Sequence, residues 1–145
     1  MEEITKGLNN LDTKDYFLVD TKEKLEKAME SLKEATLVAL DSEGVSLSRT
    51  GRCTLVQIAR NDEIFLLDLV SLSREDLIQT GLKEMLENES QKKLMWDGRT
   101  DCDALLHQVG IRVKGVVDLQ VADVLQRRNK ALPVNYVKGK KIEFP

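Results

Sequence analysis

The chain has 145 residues, enough for one domain with its own core, and at 41% hydrophobic and 32% charged it has an ordinary soluble globular composition. A net charge of −3 excludes a uniformly basic nucleic-acid-binding chain. Two cysteines exclude a disulfide scaffold, and together with a single histidine they make no Cys/His zinc site.

In chain order, residues 1–15 read as a polar lead-in, and the opening "MEEITKGLNN" resembles no signal or transit peptide. "YFLVD" predicts a short strand. A helix follows from Thr21, whose hydroxyl can cap its first turn, with Leu25, Ala28, Met29 and Leu32 at helical spacing. "TLVALD", "TLVQIAR" and "EIFLLDLV" predict three strands in a meander, the last two joined by a tight turn at Asn61-Asp62. "SREDLIQTGLKEMLEN" predicts a helix capped by Ser73 and weakened at Gly81. A strand at "KKLMWD", a helix ending at Gly110, and a strand running into "LQVADVLQRR" complete the domain at residue 128. Residues 129–145 form a basic tail. No apolar run reaches membrane-spanning length, and an intracellular location, cytoplasm or nucleus, is the expectation. Strands that meander and then alternate with helices predict an α/β fold with a mixed sheet.

Function in such folds gathers where strands end, and acids stand at those ends: Asp41, Glu43, Asp68, Asp97 and Asp118. Asp41 and Glu43, two apart on a strand, share a face if the strand continues through Ser42. Adjacent carboxylates repel, and a hard divalent cation such as Mg²⁺ or Mn²⁺ relieves both repulsion and desolvation. The alternative is a solvated strand end, which Gly44 would favour by starting a turn.

The stretch "DSEGVSLSRTGRCTLVQIA" joins the acid pair to Gly44, Leu47, Arg49, Gly51 and a second strand carrying Gln57. It resembles the first motif of the DEDD-type 3′–5′ exonucleases, the RNase D-like group, and within it the eukaryotic "3′–5′ exonuclease domain-containing" proteins. "KKLMWDGRTDCDALLHQVGIRVKGVVDLQVADVL" is similar to that family's second motif. The resemblance spans roughly residues 16 to 128. It implies an RNase H-like fold, a five-stranded mixed sheet with helices on both faces, to which the residues themselves add one N-terminal strand. It also implies Asp101 as a third metal ligand beside Asp41 and Glu43, with Asp97 as a supporting group. Asp103 reads as helix-terminus charge and Asp118 as an N-cap. Arg49, Arg52, Arg99, Lys92 and Lys93 lie near the motifs as phosphate contacts or as ordinary surface charges. Trp96, the sole tryptophan, belongs in the core or at the edge of the site, and packing favours the core.

The family's third motif, Tyr-x-x-x-Asp or His-x-x-x-x-Asp on a later helix, is missing from the later part of the sequence: Tyr136 is followed by Lys140 and His107 by Arg112 at those spacings. The expected function is therefore divided. One expectation is a two-metal 3′–5′ exonuclease on single-stranded RNA or DNA, in a C-terminally truncated fold. The other is an inactive module of the same fold that binds nucleic acid or a protein partner.

Overall fold

The structure is a computed structural model that describes residues 16–129; the predicted lead-in, nearly all of the basic tail and Tyr136 lie outside the described residues. Six strands form one sheet in the order β1-β4-β3-β2-β5-β6. These are β1 (Tyr16–Val19), β2 (Leu37–Val45), β3 (Arg52–Arg60), β4 (Glu63–Asp68), β5 (Lys92–Met95) and β6 (Val116–Asp118). β3 pairs antiparallel with both β2 and β4, while β1–β4, β2–β5 and β5–β6 are parallel. The three central strands are thus the expected meander. The sixth strand is β1, which pairs along β4 at the edge and brings the implied five-stranded sheet to six.

Helix α1 (Lys22–Leu32) starts as its sequence dictates, with the Thr21 hydroxyl accepting the Lys24 N–H. It buries Leu25, Ala28, Met29 and Leu32 against the sheet, each full-sized side chain worth about 1.5–3 kcal/mol of removed apolar surface. The predicted helix after Ser73 is divided into α2 (Arg74–Gln79) and α3 (Leu82–Glu87). Gly81 causes the break, because its φ of 89° is open to glycine but costly to residues with a Cβ. The Ser73–Asp76 capping box forms with both of its hydrogen bonds. Helix α4 (Arg99–Ala104) continues as one π-turn over Leu105–Val109 and stops at Gly110, and α5 (Leu119–Asn129) follows β6.

The core lies between one sheet face and α1 to α4: Val38, Leu40, Val56, Ile58, Phe65 and Leu67 meet Leu25, Leu32, Leu86 and Leu105. Lys93 also points into this core, fully buried, and donates to the backbone oxygens of Asn88 (2.6 Å) and Gln91 (2.9 Å). It is therefore not the phosphate contact its charge suggested. The opposite sheet face carries Leu18, Leu37 and Ile64 as exposed side chains. No described helix is long and apolar enough to cross a membrane.

Candidate active site

β2 continues through Ser42 to Val45, so Gly44 lies inside the strand. Burial alternates along it: Val38, Leu40 and Ser42 face the core, while Ala39, Asp41 and Glu43 face the open side. The two acids therefore project together near the carboxyl end of a central strand. Opposite Asp41 in the register is Gln57 of β3, whose Nε2 donates to Asp41 Oδ2 at 3.3 Å. Next to Glu43 the pairing shifts by one, since Glu43 faces Leu55 and Gly44 faces Cys53. Thr54 is the extra residue of this bulge, and its hydroxyl donates to the Glu43 carbonyl. The bulge brings the strands so close that a Cβ on Gly44 would stand 2.0 Å from the Arg52 carbonyl oxygen.

Asp101 lies in the first turn of α4 and is 8% exposed. β5 pairs with β2 only over Leu37–Ala39 and then turns away, so β2 has unpartnered ladder positions beyond Ala39. Asp101 fills one of them, accepting the Ser42 N–H at 2.8 Å. Burial pushes its carboxyl above the ordinary range and the nearby Asp41 charge adds to the rise, while backbone N–H donors, including that of Ser42, oppose both. Asp41 and Asp101 thus feel one another electrostatically across the strand end.

The exposed pair Asp41 and Glu43 suits one hard cation whose remaining ligands are water and phosphate oxygens. The full cage fits less well. Among the described residues no three acidic, histidine or cysteine side chains converge closely enough to hold a metal, and Asp101 is turned to the backbone. Burial raises both thiols, Cys53 and Cys102, so the helix start does not activate Cys102.

The β2–β3 loop is clipped to α4. Asp103 accepts from the Arg49 N–H (2.9 Å) and from its guanidinium (2.9 and 3.3 Å). Gln108, which the sequence reading overlooked, accepts from the Cys53 N–H at 2.8 Å and donates to the Ser48 carbonyl. Arg99 is paired with Asp97 at 2.6 and 3.0 Å, whereas Arg52 begins β3 as an exposed side chain. Of the arginines expected at phosphates, two are therefore engaged by acids of this domain, and Asp103 is more than helix-terminus charge. Asp97 adopts φ 50° where the chain leaves β5, and its N–H donates to Asp118 Oδ1. Asp118 also accepts the Gln120 N–H at 2.9 Å, which is the expected N-cap of α5. Trp96 is 59% exposed and not in the core. The buried alternation of Lys93 and Met95 leaves Lys92 and Leu94 on the open side, and Trp96 follows just past the strand.

Comparison with known proteins agrees with this geometry. A protein-family model described as 3′-5′ exonuclease matches residues 16–136. The mouse piRNA biogenesis protein EXD1 is 34% identical over 112 residues, 77% of this chain and 20% of that protein. The Caenorhabditis elegans Egalitarian protein homolog is 29% identical over 121 residues, 77% of this chain and 21% of that protein. The chain thus spans about a fifth of the length of these relatives. Among solved structures, Trypanosoma brucei RNase D in complex with RNA U12 superposes with a TM-score of 0.69 at 35% identity, covering 75% of this chain and 39% of that one. The Aedes aegypti Nibbler EXO domain, at 19% identity and a TM-score of 0.71, covers 94% of this chain and 67% of that one and shares the fold.

Proposed function

Since the chain belongs to the 3′–5′ exonuclease family, we propose that its domain removes nucleotides from the 3′ end of single-stranded RNA, with a divalent cation seated on Asp41 and Glu43. The observation that carries this reading is the joint projection of those two acids from the carboxyl end of β2 onto an open face, with Asp101 in electrostatic reach. RNA is favoured over DNA by the relatives: one is named for piRNA biogenesis, and the RNase D structure holds RNA. Mg²⁺ or Mn²⁺, when bound, supplies charge neutralisation at the scissile phosphate and an acidified water. Gln57 orients the Asp41 carboxylate toward the open side. Asp101 fixes the strand end from behind and contributes a third negative charge to the seat. Arg52, exposed at the start of β3, is the arginine best placed to approach the substrate backbone, since Arg49 and Arg99 hold acids of this domain.

A second reading is a binding module of the same fold that does not cut. Its support is that the second motif is not followed by Tyr-x-x-x-Asp or His-x-x-x-x-Asp in the given sequence, together with the lack of a three-acid cage among the described residues. Incubation of a 5′-labelled single-stranded RNA with the purified chain and Mn²⁺ separates the two. Stepwise shortening that Asp41→Asn abolishes supports the nuclease. RNA that stays intact while bound, with binding unchanged in EDTA and in Asp41→Asn, refutes the nuclease and leaves the binding module.

A further inference from the structure

Lys93 and Met95 face the core, Leu94 between them faces the open side, and Trp96 just beyond the strand is exposed. Leu94 pairs with Ala39 across β5 and β2. Asp41 lies two residues beyond Ala39 on β2, and Trp96 is the first residue past the end of β5, two beyond Leu94, so the indole leaves the chain next to the end of the strand that carries the acid pair. An indole is among the largest apolar groups a protein can bury, yet this one is 59% exposed. Among the described residues it has no ring partner, the one close ring pair being Phe17 with Phe65, and its N–H has no hydrogen-bond acceptor. Electrostatic holding of a polyanion is weak here, because the chain carries −3 and the Arg49 and Arg99 guanidinia bind Asp103 and Asp97. An apolar contact would therefore add to what a cation and Arg52 offer a substrate at the acids.

We propose that Trp96 is the platform on which a base of single-stranded RNA stacks while the adjoining phosphodiester lies at Asp41 and Glu43. This rests on the proposed placement of substrate at that acid pair. Every base offers a π-face, so the contact is tolerant of sequence. It also makes binding less dependent on salt than a purely ionic grip.

Trp96 is the only tryptophan in the chain, so emission excited at the red edge of absorption, where the two tyrosines do not absorb, reports on it alone. The probe is an unlabelled oligoadenylate with a 3′-terminal phosphorothioate linkage, titrated in Mg²⁺, with binding followed in parallel by anisotropy of a 5′-labelled copy. Emission is expected to be quenched in step with binding. Trp96→Phe should bind within about threefold of the parent, and Trp96→Ala about tenfold more weakly. The exposed position lets both variants fold, which circular dichroism checks. Saturable binding with unchanged emission, or Trp96→Ala binding as tightly as the parent, overturns the platform and leaves the proposed function standing. Emission already shielded from acrylamide in the free chain overturns it too. Failure of the oligonucleotide to bind at all removes the proposed function along with the platform.

Discussion

Replacing Lys93 with methionine tests what a buried, uncompensated ammonium costs this fold. Lys93 is fully buried, and its Nζ meets only the carbonyl oxygens of Asn88 and Gln91. Burial, with a smaller push from Lys92, lowers its pKa from 10.5 to about 8. The folded state thus holds this proton less tightly than the unfolded state, so stability rises with pH between those two values. For that interval, linkage gives a penalty of about 3 kcal/mol at pH 7, shrinking to about 1.5 kcal/mol at pH 9.5. Methionine keeps the unbranched stem and removes the charge, at the cost of leaving two carbonyls without a donor. Those carbonyls do not titrate, so the difference between variant and parent isolates Lys93 from other groups ionising in the same range. Urea unfolding at both pH values should show the stability of Lys93→Met relative to the parent falling by about 2 kcal/mol from pH 7 to pH 9.5. A difference that stays constant with pH would refute the buried-ammonium account.

Two further perturbations address the frame of the site. Gly44→Ala forces a Cβ to within 2.0 Å of the Arg52 carbonyl, so the bulged β2–β3 pairing must open. A loss of about 2–4 kcal/mol in urea unfolding is expected, and a change below about 0.5 kcal/mol would mean the strands separate freely there. Asp103→Asn removes the charge that holds the Arg49 guanidinium and weakens the bond to its N–H. Hydrogen exchange of the Arg49 amide should accelerate while that of the β4 core amides stays unchanged.

Patterns of spacing made much of this fold legible. Alternation from Leu37 to Glu43 is visible in the sequence and is what places Asp41 and Glu43 on one face. The Thr21 cap, the Ser73 cap, the Asp118 cap and the stop at Gly110 follow from residue chemistry that acts within one turn. Contacts between distant segments were not legible. Nothing in "YFLV" announces β4 as its partner, because parallel pairing depends on where α1 sends the chain. The charge of Arg49 was visible, but not that Asp103, 54 residues on, would take it. Lys93 and Trp96 show the same limit from opposite sides. A strand that alternates strictly buries whichever residue falls on its inner face, even a lysine, and the chain leaving its end exposes even a tryptophan.

The bond from Ser42 to Asp101 ties the chemistry of the site to its architecture. Asp101 completes a ladder position that β5 abandons, so its removal leaves a main-chain N–H buried without an acceptor. An alanine there would conflate unfolding with inactivity, whereas asparagine keeps an oxygen for the strand. The exposed carboxylate of Glu43 has no such duty among the described residues. Substitutions at these two acids are therefore tolerated unequally by the fold. A lineage that ceased to need cleavage would be expected to shed Glu43 early and retain Asp101 long afterward. Persistence of an aspartate at position 101 in a homologue is accordingly weak testimony that the homologue still degrades anything, and the identity of residue 43 is the more telling one to inspect.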